Sequence, residues 1–257
     1  MKILFIGNSF SHDANRYLYS LCNTAGLDVE LLNLWIGGCS LERHAACAKE
    51  NKRDYMVQYN GIEYRDYHAT LDEGLAFRDW DYISIQQVSG CSGRYDTFRP
   101  YADVLVGRIR ELCPRAKILV HMTWAYEWGS DHHDFPRYDC SPLVMTERLT
   151  DAYTRLAEDI GAYAIIPSGR VIAKLKAMPE FDVREGGVSL HRDGFHLSEE
   201  YGRYAAAGAW YQWMGLGDIR DNPFIPDGGG EIDAKLLGLV KQTVADLVEP
   251  NKGNSPA

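Results

Sequence analysis

The segment Lys2-Ile3-Leu4-Phe5-Ile6-Gly7-Asn8-Ser9-Phe10-Ser11 decides the class of fold. Its apolar run stops at a Gly-Asn-Ser turn, as a strand buried on both faces does. Residues 14–24 follow with Tyr17, Leu18, Leu21 and Cys22 at helical spacing, and Gly26 supplies a stop signal. Residues 29–34 then read as a second strand. A strand, a crossover helix and a second strand over this length make a βαβ unit with parallel pairing.

Outward from this opening the alternation recurs. Strands are expected at residues 82–85, 118–122 and 163–166, and helices at 101–113, 143–160 and 198–214, the last with Ser198 as N-cap. The expected fold is therefore α/β: a three-layer α/β/α sandwich, flavodoxin-like in plan, around a doubly wound sheet of about five parallel strands. Residues 54–68, polar and rich in tyrosine, read as an insertion or small hairpin. Residues 124–142 form a long loop whose aromatic content (Trp124, Tyr126, Trp128, Phe135, Tyr138) argues against disorder. No linker or repeat interrupts the chain, so residues 1–248 are expected to form one domain and 249–257 a disordered tail.

Composition excludes several functions. The 257 residues carry 27 Lys and Arg against 36 Asp and Glu, a net charge of −9. Nucleic-acid binding needs clustered positive charge, which is absent, so no nucleic-acid partner is expected. No stretch reaches the ~18 apolar residues of a membrane span, and the opening lacks signal-peptide anatomy. With Met1 as the native start, a soluble cytoplasmic protein is expected. The six cysteines form no C-x-x-C pair, which points to reduced thiols rather than a zinc site.

In open α/β sheets, ligands bind beyond the carboxyl ends of the strands. The groups arriving there include Asn8, Ser9, His12 and Asp13; Trp35, Gly37, Gly38 and Cys39; Gln86 and Gln87; Trp124, Tyr126 and Glu127; and the run from His191 to His196. Ser9 is the candidate nucleophile, because it leaves a strand through a tight turn and opens a helix, where its own N–H can meet developing negative charge. A serine hydroxyl needs a base, and a histidine oriented by a carboxylate is suited to that work near neutral pH. Asp193 and His196, three residues apart with Gly194 between them, can supply the pair.

These blocks resemble the SGNH/GDSL hydrolase superfamily, specifically an uncharacterised branch of it. The first block is Gly7-Asn8-Ser9-Phe10-Ser11 and the last is Asp193-Gly194-Phe195-His196. Trp80-Asp81-Tyr82, Gln86-Gln87 and Thr123-Trp124-Ala125-Tyr126 match the branch. The resemblance implies a serine-dependent ester hydrolase with Ser9, Asp193 and His196 as the catalytic triad. It also implies an oxyanion hole made by the N–H groups of Ser9 and Gly38. The superfamily's third block, G-x-N-D, is missing. The equivalent strand ends in Gln86 and Gln87, either of which carries an amide donor on a longer arm than Asn.

Asn8, Trp35, Trp124, Tyr126 and His191 are expected to bind substrate, the aromatic rings as a stacking wall. His132, His133 and the neighbouring aspartates have metal-ligand chemistry but not metal-ligand spacing, so no metal and no cofactor are expected. The expected substrate is a small-molecule ester, an acetylated or otherwise acylated sugar. The alternatives are a lipid or short-chain acyl esterase or thioesterase, a non-catalytic carbohydrate-binding protein on the same scaffold, and a metal-dependent hydrolase.

Overall fold

The structure, a computed structural model, describes residues 1–251 and Gly253. Its strands are β1 Lys2–Gly7, β2 Glu30–Trp35, β3 Tyr55–Tyr59, β4 Ile62–Ala69, β5 Tyr82–Ile85, β6 Lys117–His121 and β7 Ala164–Ile166. Its helices are α1 Ser9–Asn15, α2 Leu18–Thr24, α3 Leu41–Glu50, α4 Leu71–Ala76, α5 Tyr101–Leu112, α6 Pro142–Ile160, α7 Ser168–Lys176, α8 Gly202–Met214 and α9 Ala234–Leu247. The protein is an α/β protein with a seven-stranded sheet in the order β4-β3-β2-β1-β5-β6-β7. β1 pairs in parallel with β2 and β5, and β5 with β6, while β3 and β4 add an antiparallel edge. The two strands beyond the expected five come from the Tyr-rich segment, which is a β-hairpin.

Register levels the strand ends that carry the candidate chemistry. Gly7 stands opposite Trp35 and Ile6 opposite Ile85, so Asn8, Ile36 and Gln86 each follow at the same edge. The four residues from Ile3 to Ile6 are at most 1% exposed, as a central strand covered on both faces requires.

Two local expectations change. The helix expected over 14–24 is two helices, because α1 starts early: Asn8 Oδ1 accepts Phe10 N at 3.0 Å and caps the helix at Ser9. The chain then turns at Arg16, whose N–H reaches back three residues to Asp13 O at 3.3 Å, before α2 begins. Ser198 is not the N-cap of the last site helix. α8 starts at Gly202, and Ser198 closes the preceding turn by accepting Gly202 N on its Oγ at 3.2 Å.

By contact density the chain divides into two compact units. The first comprises Met1–His12, Val29–Thr123 and Arg148–Ile165. It holds β1 to β6, with α3, α4 and α5 packed on one another. The second comprises Asp13–Asp28, Trp124–Glu147 and the chain from Ile166 onward. Its centre is α8, buried at every position and packed against α2, α7 and α9. Such a helix has no solvent face to present, and its buried Arg203 and Gln212 have hydrogen-bond partners, Asp13 and Ile219 N. Of the expected tail, residue 252 and residues 254–257 lie outside the described residues. Asn251 is buried and its N–H donates to Trp213 O at 2.8 Å. Among the described residues no helix is long and apolar enough to cross a membrane.

Candidate active site

The serine belongs to the first unit. β1 delivers Gly7 and Asn8 into a crowded turn. A Cβ on Gly7 would lie 2.5 Å from Ser11 Oγ and 3.0 Å from Gln86 Cδ, so only glycine fits. Asn8, 1% exposed, organises the surroundings. Its Oδ1 accepts Gln86 Nε2 at 2.9 Å as well as the Phe10 amide, and its Nδ2 donates to Cys39 O at 3.0 Å. One side chain thus ties together the start of α1, the end of β5 and the loop that holds Gly38. Asn8 is therefore part of the scaffold rather than the substrate contact expected of it. Ser9 is partly exposed between the buried Asn8 and Phe10, and Gly38 is exposed. Ser11 is buried, with its hydroxyl on Asn8 O and Asn33 Oδ1.

The two glutamines separate. Gln87 Oε1 accepts Leu41 N and Val88 N, and its Nε2 donates to Thr97 O at 3.0 Å and Thr97 Oγ1 at 3.2 Å. The Gln87 amide nitrogen is thus committed to Thr97, which argues against Gln87 as an oxyanion donor. Gln86 stays beside Gly7 and Asn8, and its Oε1 bonds His121 Nδ1 at 2.8 Å. Burial pushes the His121 imidazole down to about 3, so it is neutral. Burial also pushes the Cys39 thiol up to about 12, which leaves it unreactive beside Gly38.

Trp35 keeps part of its surface exposed, and the His12 ring lies 4.6 Å from it. The indole Nε1 has no partner among the described residues. His12 Nε2 meets Glu63 Oε1 at 2.7 Å, and that contact holds the Glu63 carboxyl below its usual range. Glu63 comes from the hairpin and carried no sequence signal of its own.

The histidine belongs to the second unit. Asp193 Oδ2 accepts His196 Nδ1 at 2.7 Å, while Oδ1 accepts the backbone N–H of His196 at 2.7 Å and of Phe195 at 3.2 Å. Gly194 makes this turn possible with φ +84°. Burial would raise the Asp193 carboxyl, but the His196 ring and the two amides outweigh it and hold it low. An ionised carboxylate on Nδ1–H leaves Nε2 as the acceptor, the tautomer a general base needs. The His196 side chain is 20% exposed.

The residues around this turn correct three expectations. Trp124 and Tyr126 are both 0% exposed. Trp124 Nε1 donates to Phe195 O at 2.9 Å, and Tyr126 packs on Phe135, His132 and Phe195. A ring without an exposed face cannot stack on a ligand, so both are core that supports the turn. His191 is likewise enclosed. Its Nδ1 faces Glu127 Oε1 at 3.3 Å and its Nε2 has no partner among the described residues. Burial, helped by nearby Lys176, pushes its pKa to about 4. Lys176, which the sequence did not single out, is half-buried with its Nζ on Ala125 O and Tyr126 O, and desolvation of that ammonium lowers it to about 8.

The potential ligand atoms of His132, His133 and Asp134 lie within 4.8 Å of one another. They already have partners: His132 Nδ1 accepts Asp134 N, and Asp134 pairs with Arg137 at 2.6 Å. An apolar cavity of about 330 Å³ lies between the hairpin, β2 and α4, and none of Ser9, Asp193 or His196 lines it.

The family model of DUF4886, a domain of unknown function, matches residues 2–244. The chain belongs to the DUF4886 family. A DUF4886 family protein from Bacteroides uniformis is 34% identical over 96% of this chain and 93% of its own, with a TM-score of 0.87. A candidate SGNH hydrolase from Slackia heliotrinireducens is 24% identical, covering 84% of this chain and 99% of its own at a TM-score of 0.54. Axe2, an acetylxylan esterase from Geobacillus stearothermophilus, is 16% identical, covering 84% of this chain and 94% of its own at a TM-score of 0.51. No curated protein shows significant similarity. The α/β class and the likeness to SGNH/GDSL hydrolases read from the sequence blocks both hold. At these identities the last two structures establish a shared fold.

Proposed function

We propose that this DUF4886 protein is a serine-dependent ester hydrolase of the SGNH type that removes a small acyl group from a carbohydrate. The observation that carries the reading is the 2.7 Å contact between His196 Nδ1 and Asp193 Oδ2, which leaves His196 Nε2 as a base. Ser9 Oγ attacks the ester carbonyl as His196 Nε2 takes its proton. The imidazolium gives that proton to the departing alkoxide as the acyl C–O bond breaks. Water then attacks the Ser9 ester, losing a proton to His196, and the imidazolium returns that proton to Ser9 Oγ as the acyl–serine bond breaks and the carboxylic acid leaves. The oxyanion of each tetrahedral intermediate is held by the N–H groups of Ser9 and Gly38, with Gln86 as the nearby amide. Trp35, His12 and Glu63 supply one aromatic face and hydrogen-bonding groups, a combination suited to a sugar.

The test is hydrolysis of p-nitrophenyl acetate and octanoate by wild type, Ser9→Ala and His196→Ala, with and without a chelator. The expected result is acetate turnover above octanoate, lost in both variants and indifferent to chelator. Full turnover in Ser9→Ala refutes the serine mechanism. Detectable sugar binding by a folded wild type that hydrolyses no ester favours the binding-protein reading.

A further inference from the structure

We propose that Asp13 is a positioning residue, whose carboxylate holds the loop of residues 192–197 and so sets the orientation of the Asp193 and His196 side chains. The inference rests on the esterase reading for its catalytic meaning. Asp13 is 0% exposed. A carboxylate leaves water only against full compensation, and here it comes from one loop and from Arg203 of α8. Oδ2 accepts the backbone N–H of Leu197 at 2.9 Å. Arg192 Nη1 reaches both oxygens, at 3.1 and 3.3 Å. Arg203, from the buried α8, gives Nε at 2.8 Å and Nη2 at 2.7 Å to Oδ1.

Arg192 and Leu197 flank the four-residue block from Asp193 to His196 on either side. The backbone closes the same loop, with Arg192 N on His196 O at 3.0 Å and a bridge between His191 and Leu197. Asp13 therefore grips both ends of the turn that aims the imidazole. It also lies four residues after Ser9 within α1. Neither Arg192 nor Arg203 is needed for the acyl-transfer chemistry; Arg192 divides its Nη1 between this carboxylate and the Leu197 carbonyl of the same loop, and Arg203 gives Nε and Nη2 to the carboxylate. Arg203 also binds Glu199, which balances the second positive charge.

The variants are Asp13→Asn, which keeps the shape and removes the charge, and Arg192→Met, with Arg192→Lys as its conservative rescue. The Arg192 side chain is 35% exposed, so its replacement leaves the core intact even if Asp13→Asn fails to fold. The readouts are kcat and KM on p-nitrophenyl acetate, and the low-field proton resonance of His196 Nδ1–H, assigned by its absence in His196→Ala. A loose imidazole loses rate rather than affinity. Asp13→Asn is expected to lose about 100-fold in kcat and Arg192→Met about 10-fold, with KM within about threefold of wild type. The low-field resonance broadens or disappears in both, and Arg192→Lys recovers part of the rate and the signal. Unchanged kcat and an unchanged resonance in folded Arg192→Met overturn the proposal. Should wild type hydrolyse no ester, the esterase reading falls separately. The resonance still decides: retained in Arg192→Met it refutes positioning by Asp13, and lost in both Arg192→Met and folded Asp13→Asn it supports it.

Discussion

Lowering the pH from about 7.5 to about 5 should remove a large share of this protein's stability before its carboxylates begin to titrate. Three histidines carry the effect. His44 is fully buried on α3 with Nδ1 on the Tyr55 hydroxyl at 2.8 Å, and burial pushes it to about 3. His121 is held at about 3 and His191 at about 4, in both cases chiefly by burial. In the unfolded chain each titrates near about 6.5. The folded values lie below the unfolded one, so between them the unfolded chain binds more protons and acid favours unfolding. At about pH 5 each histidine costs about 2 kcal/mol, and the three together about 6 kcal/mol. That rivals a typical total stability of about 5–15 kcal/mol. Asp193, Glu63 and Glu127 have lowered carboxyl values and add their own loss only below about pH 4.5. Urea unfolding followed by tryptophan fluorescence at the two pH values measures the loss. His44→Gln removes one titrating group and should reduce the loss to about 4 kcal/mol. A wild-type unfolding free energy that agrees within about 1 kcal/mol at the two pH values would refute the reasoning.

Three further outcomes follow from named contacts. Asp193→Asn replaces the acceptor of His196 Nδ1–H with an amide that favours the wrong tautomer. It should cut kcat/KM on an aryl acetate by about 10³–10⁴ while leaving the melting temperature near wild type. Gly7→Ala places a Cβ 2.7 Å from Ser11 Cβ, and Ser11 is pinned by Asn8 and Asn33. Calorimetry should show a loss of about 1–3 kcal/mol. Trp35→Ala should raise KM for an acetylated sugar by about three- to tenfold and leave p-nitrophenyl acetate unaffected. Equal effects on both substrates would remove Trp35 from the sugar-binding surface.

What the sequence made legible follows the range of the interaction involved. The run from Lys2 to Ile6 is buried on both faces, and so its composition alone reads as a central strand. The same holds for Tyr82 to Ile85. β4 gave no such signal because its first seven residues are exposed and no period-two pattern is imposed on them. α4 is six residues long, and its identity rests on a capping box between Thr70 and Glu73 rather than on an apolar stripe. α8 was found but begun too early. Ser198 has capping chemistry and spends it on a turn, and the two glutamates after it imitate a first helical turn.

The site divides along the same line. The pairing of Asp193 with His196 spans three residues and is a property of one turn, so spacing was enough to suggest it. The choice between Gln86 and Gln87 depends on Thr97 and Leu41, partners that no local pattern names. Trp124 and Tyr126 show the limit most clearly. An aromatic residue after a strand has the same composition whether it faces a ligand or supports the loop beside it. Only burial separates the two, and here Phe195 and Phe135 cover Tyr126 while Phe195 O takes the Trp124 indole. The two rings expected to bind substrate thus pack against the turn that carries Asp193 and His196. On the proposed carbohydrate reading, the surface left for a sugar is Trp35 with His12 and Glu63. That transfer has a consequence: removing an aromatic ring from residues 124–126 should lower kcat through a loosened imidazole, whereas removing Trp35 should act on KM.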